Sequence, residues 1–214
     1  MSTTILLIRH GETDWNAARR LQGHIDIELN DEGLRQADAL ACALAREPLD
    51  AVIASDLMRA RQTAQAVASK HGLTVGIDRQ LRERCYGLFE GMLYAQVAQR
   101  YPEHYAAWQA RDIDAVMPPG ERTAESFRQF FARSTAAIAH WADQYPDQTI
   151  AIVAHGGVLE CACRAARALA LDTVRDFQIK NASINRFEFS SGKLTLINWG
   201  DVEHLGGEAV DELT

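Results

Sequence analysis

The stretch ILLIRHGETDWN (residues 5–16) runs four apolar residues straight into an arginine, a histidine and a glycine. An apolar run without alternation reads as a strand covered by helices on both faces. Two later segments repeat its grammar: LDAVIASDLMRARQTAQAV (49–67) and QTIAIVAHGGVLECACRAARAL (148–169). Each gives a β-like run, a polar break and a helical pattern. Together they predict an α/β protein, a three-layer α/β/α sandwich around a mostly parallel sheet. Helices are expected over 31–46, 57–71, 124–144 and 158–171, the first capped by Asn30 with Asp31 and Glu32 in its opening turn. Gly33 stands at its N3 position, so no reciprocal capping box is expected there. SINRFEF and KLTLINW alternate and are separated by Ser190, Ser191 and Gly192, a hairpin pattern suited to a sheet edge.

Within 214 residues this pattern predicts a single domain over 1–214, with a helical insertion around 88–122 over the active site. Tyr101, Tyr105 and Trp108 in that insertion have helical spacing, and packing onto the core is the simpler reading of them. The net charge of −7 argues against a nucleic-acid or membrane-surface partner. No apolar run approaches the roughly 20 residues of a membrane span, and the apolar start ends at once in Arg9 and His10, so a cytoplasmic protein is expected. Cys42, Cys85, Cys161 and Cys163 are too irregularly spaced for a disulfide framework or a zinc site, and no metal or cofactor is expected. The acidic tail after Leu205 is expected to be mobile.

In such sheets ligands bind at the carboxyl ends of the strands. Arg9 and His10, the segment Ser55 to Arg59, and His155 with Gly156 and Gly157 should therefore meet at one edge. Two arginines and two histidines beside a helix N-terminus make an anion site, because guanidinium forks match phosphate oxygens. His10-Gly11 and His155-Gly156 repeat one construction, in which glycine would let a substrate approach the backbone.

LIRHGETDWN, QGHIDIELNDEGLRQA, ASDLMRARQTA, LRERCYGLFEG, IVAHGGV and NASINRFEF, in that order, resemble the histidine phosphatase superfamily. The similarity is to the branch of cofactor-dependent phosphoglycerate mutases and small bacterial phosphatases. It implies a phosphoglycerate mutase-like fold and a phosphomonoesterase acting on a small phosphorylated metabolite through a phosphohistidine on His10. Glu83 would be the general acid and base, and Arg9, Arg59 and His155 would hold the phosphoryl oxygens. Asn16, Gln22, Gly23 and Gly156 would contact substrate. Asp56 and Gln62 read as structural, orienting Arg59 or capping its helix. The acid-phosphatase branch is disfavoured, since Thr13 and Trp15 stand where it has Arg and Pro.

A mutase of this family, by the same resemblance, holds its acid substrate with a paired Arg-Arg and a Lys in the insertion. Residues 88–122 offer Arg100, Arg111 and Arg122 singly and no Lys, so hydrolysis is expected. A mutase and an inactive phosphate-binding protein are the alternatives. Arg122 could meet a substrate carboxylate, and either Glu121 or Glu125 could face the pocket. An edge strand would allow a homodimer, which no feature of the sequence decides.

Overall fold

The computed structural model describes residues 2–206, and the tail from residue 207 onward, with its expected mobility, lies outside the described residues. Its centre is a sheet in the order β3-β2-β4-β1-β5-β6. The strands are β1 (Ser2–Arg9), β2 (Ala51–Ala54), β3 (Val75–Ile77), β4 (Thr149–Ala154), β5 (Ile184–Ser190) and β6 (Lys193–Asp201). β1, β2, β3 and β4 run parallel, while the β5–β6 hairpin adds antiparallel to β1, with β6 at the edge. The predicted sheet and hairpin are both present.

The two faces of the sheet explain the apolar runs. Along β1, Ile5 and Leu7 enter one core and Leu6 and Ile8 the other; along β4, Ile150 and Ile152 oppose Ala151 and Val153 in the same way. All eight are completely buried. The first core is closed by α6 (Phe127–Gln144) and α7 (Gly156–Arg167), the second by α2 (Asp31–Leu44) and α3 (Met58–His71). Each buried strand side chain contributes on the order of 1.5–3 kcal/mol. Alternation is absent because both faces are covered.

Helix ends differ from expectation where caps decide them. α6 starts at Phe127, not 124, because the Ser126 side chain accepts from Gln129 N. α7 starts two residues early at Gly156 and stops at Arg167, with Ala168 in the left-handed region. Asn30 caps α2 through Gly33 N as expected. Between 88 and 122 lie α4 (Tyr94–Arg100) and α5 (Pro102–Gln109), joined at Tyr101. They follow the short helix α1 (Asp14–Ala17) in space through the Arg20–Leu93 bridge. Tyr101 leans on Phe89 in a small core with Leu21 and Val97. Tyr105 and Trp108 pack there too, but they also line a cavity. Packing and substrate-facing roles are therefore not alternatives for those two rings.

Gly11 does not open the backbone to a substrate. A Cβ on Gly11 would lie 2.6 Å from the Gly33 carbonyl, and one on Gly33 would lie 2.0 Å from the Glu12 carbonyl. The chain after β1 thus rests directly on the first turn of α2, a fit available only to paired glycines. Gly33→Ala is expected to lower stability by about 1–3 kcal/mol through overpacking, because the chain after His10 must move off the helix. Urea unfolding of the two proteins checks it.

Candidate active site

The parallel register of β1 and β4 places Arg9 beside Ala154, and the ladder continues as His10 N donates to Ala154 O at 3.0 Å. His10 and His155 therefore leave the sheet side by side, ring centroids 5.2 Å apart in an edge arrangement. His10 Nδ1 lies 2.7 Å from the Gly11 carbonyl. A carbonyl only accepts, so Nδ1 carries the proton and Nε2 keeps its lone pair. Burial, with Arg59 and then Arg9 adding positive charge, holds the His10 pKa well below the usual range. His155 is lowered well below it as well, by burial and then by Arg59. Both imidazoles are neutral at neutral pH.

His10, Gln22, Gly23, Arg59 and Glu83 line one small pocket with Tyr86 and Tyr94. Arg59 enters from the first turn of α3, donating to Ile25 O at 3.0 Å and to Gly23 O at 2.9 Å. Arg9 is fully buried behind His10 and donates to Ile179 O at 2.5 Å. The amide of Gln22 and both ring nitrogens of His155 are buried and make no hydrogen bond among the described residues. Gln22 Nε2 and the single N–H of neutral His155 fit incoming acceptor oxygens, since an unsatisfied buried donor costs about 1–3 kcal/mol. Asn16 sits off the pocket wall; its Oδ1 accepts from Thr13 N and Oγ1 in a capping box. That fixes its Nδ2 as the donor end. Asn181 donates to His10 O at 3.0 Å and joins the two segments.

Glu83 is 5% exposed, with Oε1 accepting from Arg84 N at 2.7 Å and Oε2 from Gly157 N at 3.0 Å. The N-terminal amide of α7 thus holds a carboxylate of the protein rather than waiting for a phosphate, a placement the helix dipole favours. Gly157 is required here, because a Cβ would lie 2.2 Å from Glu83 Oε1. Sequence reasoning singled out Gly156, which lines the adjoining chamber. The second glycine of the pair was the available signal for Gly157. The backbone carbonyl of Glu83 accepts from His24 Nε2 at 2.7 Å and Arg133 Nη2 at 3.2 Å, neither of which the sequence pattern marked.

Other expectations are redrawn by specific contacts. Asp56 pairs with Arg82 through two hydrogen bonds, 2.6 and 2.7 Å, and does not orient Arg59. Arg82 holds its carboxyl below the ordinary range. The first turn of α3 is met instead by Asp26, which accepts from Met58 N at 2.6 Å. Gln62 accepts from Leu29 N and so braces the 22–30 loop. Arg122 pairs with Glu90 at 3.2 Å, and Glu125 pairs with Arg133 while accepting from Cys85 N. None of Glu121, Arg122 and Glu125 lines the cavities. Cys161 is fully buried in an apolar core.

Beside the His10 pocket lies a chamber of about 540 Å³, walled by Tyr86, Tyr94, Tyr105 and Trp108 from the insertion side and by Gly156, Gly157 and Glu160 of α7. No helix among the described residues is long and apolar enough to cross a membrane.

A sequence model of the histidine phosphatase superfamily (branch 1) matches residues 5–202. The chain is 41% identical over 204 residues to phosphoglycerate mutase-like protein 4 of Arabidopsis thaliana, covering 94% of this chain and 86% of that one. It is 37% identical to a metal-independent phosphoserine phosphatase of the same plant, over 95% of this chain and 83% of that one. A mycobacterial glucosyl-3-phosphoglycerate phosphatase superposes with a TM-score of 0.79 at 29% identity, over 94% of this chain and 99% of that one.

Neutral burial of His10 and His155 has a consequence for stability. Unfolded, both take up protons near the usual value of about 6.5; folded, both resist them until the pH is well below it. Stability from this source is complete above that value and is lost as the pH falls below it. Urea unfolding at pH 7 and pH 5 is expected to show weaker folding at pH 5, with a smaller difference in His155→Gln.

Proposed function

The chain belongs to the histidine phosphatase superfamily, and from that premise we propose that it is a phosphomonoesterase that hydrolyses a small phosphorylated metabolite through a phosphohistidine on His10. The observation that carries this is the tautomer of His10: with Nδ1–H tied to a carbonyl, Nε2 is the nucleophile in the pocket shared with Arg59 and Glu83. In the first step Nε2 attacks phosphorus and the ester P–O bond breaks, with Glu83, protonated when the phosphate's negative charge sits beside it, giving its proton to the leaving oxygen. In the second, water attacks, Glu83 takes the proton, and the N–P bond breaks to release phosphate. Arg9, Arg59 and His155 stabilise the charge spread over the equatorial oxygens. Gln22 and the Gly23 loop complete the phosphate cradle, with Asn16 as a further donor set behind its wall, and Gly156 belongs to the wall beyond it.

These groups supply the charge that a metal ion would otherwise supply, so the reading requires no metal. In this reading residues 1–214 form one catalytic domain whose 88–122 insertion walls the leaving-group side. Hydrolysis is favoured over mutase chemistry because Arg111 and Arg122, cations of the insertion, are engaged with Glu160 and Glu90. The names of the relatives, a phosphoserine phosphatase and a glucosyl-3-phosphoglycerate phosphatase, support a small phosphorylated metabolite as the substrate.

Hydrolysis of p-nitrophenyl phosphate is expected to persist in excess chelator and to fall at least ~10³-fold in His10→Ala; equal release by the two proteins would sink the phosphohistidine. Glu83→Gln is expected to slow an alkyl phosphate by ~10²-fold or more, and p-nitrophenyl phosphate much less, because a phenolate leaves without a proton. Equal losses on the two esters would remove Glu83 from the acid role.

A further inference from the structure

The chamber contains a charged group that the phosphoryl chemistry leaves unused. Glu160 lies three residues beyond Gly157 on α7, about 4.5 Å further along the helix axis, and is 7% exposed at the chamber wall. Its contacts converge on one oxygen: Oε1 meets Arg111 Nη2 at 2.5 Å, Arg164 Nε at 2.9 Å and Arg164 Nη2 at 2.8 Å. Arg164 is itself pinned, donating to Ala170 O and Thr173 O. A carboxylate offers about four acceptor sites over two oxygens, so with these three contacts on Oε1 the other oxygen, Oε2, keeps acceptor capacity. Across the chamber stand Tyr105 and Trp108, ring surfaces suited to the apolar face of a ligand. A volume of about 540 Å³ is far larger than a three-carbon leaving group requires.

We propose that Glu160 is a specificity-determining residue: the substrate's leaving group is sugar-sized and carries a hydroxyl or ammonium donor that bonds Glu160 Oε2, with its ring against Tyr105 and Trp108. This rests on the phosphomonoesterase reading of the same site. A site built to bond a donor discriminates against an analogue lacking it far more strongly than an apolar pocket does. A purely structural Glu160, clamping Arg111 and hence the insertion, would instead lower kcat/KM for glucose 6-phosphate and glucosamine 6-phosphate in the same proportion, whatever donor they carry.

The test compares kcat/KM for p-nitrophenyl phosphate, 3-phosphoglycerate, glucose 6-phosphate and glucosamine 6-phosphate. The wild-type enzyme is expected to prefer a hexose phosphate to 3-phosphoglycerate by roughly tenfold or more. In Glu160→Ala the ratio of the preferred hexose phosphate to p-nitrophenyl phosphate is expected to fall at least about tenfold. Glu160→Gln, which keeps an acceptor and the side-chain shape, separates the donors: a hydroxyl contact is retained better than an ammonium contact. An unchanged ratio in both variants, or a wild-type preference for 3-phosphoglycerate, overturns the assignment while leaving the hydrolase reading intact. Absence of His10-dependent hydrolysis of p-nitrophenyl phosphate by the wild type overturns both. If Glu160→Ala does not fold, the ratio in Glu160→Gln with glucosamine 6-phosphate decides.

Discussion

The site depends on the parallel register between β1 and β4. With Arg9 beside Ala154 and His10 N bonded to Ala154 O, the two strands end level, and their next residues, His10 and His155, emerge as neighbours. A slip of one residue would turn every side chain of one strand to the opposite face. Ile5 and Leu7 would trade cores with Leu6 and Ile8, and His10 would move away from His155. The cores on both faces therefore hold the register, and the register holds the chemistry. Just ahead of β5, Ser183 O accepts from Arg9 N and Asn181 donates to His10 O, securing the same strand end from its other side.

Placing guanidinium groups at this buried edge is costly unless their N–H groups are used. The protein uses them on backbone carbonyls. Arg59 holds the carbonyls of Gly23 and Ile25, and Arg9 holds that of Ile179. These carbonyls orient the two guanidinium groups at the strand ends. Arg82, Arg111, Arg122 and Arg133 are held by acids. Two guanidinium groups gathered at one edge raise the local potential there even in a chain of net charge −7.

The sandwich was legible because strands buried on both faces leave unbroken apolar runs, and Ile5–Ile8 and Ile150–Ala154 are such runs. The meeting of His10, Arg59, Glu83 and His155 was legible from strand ends and from the ordered motifs. What escaped was tertiary pairing between segments far apart in sequence. The Gly11–Gly33 contact joins residues whose patterns each suggest a local role, a substrate approach for one and a helix first turn for the other. Asp56 looked like a partner for Arg59 because they share a segment, yet it reaches Arg82 after the next strand. Arg133 gathers Gln80 O, Arg82 O, Glu83 O and Glu125 from a mid-helix position that carries no motif.

These long-range ties also explain how chemistry and selectivity are divided in the structure. Glu83 is held through its carboxylate by α7 and its own loop, and through its carbonyl by His24 and Arg133, so its position is fixed from several elements at once. The chamber wall hangs instead from α4 and α5, which rest on a small core around Phe89 and Val97 and are tied to the body by the Arg111–Glu160 pair. Displacing the wall would change what fits the chamber without moving Glu83. α7 belongs to both parts, since Gly157 N holds Glu83 and, one turn on, Glu160 faces the chamber. On the proposed reading, a leaving group held at Glu160 would be registered against the same helix that holds Glu83, so its ester oxygen and that carboxyl group would share one frame of reference.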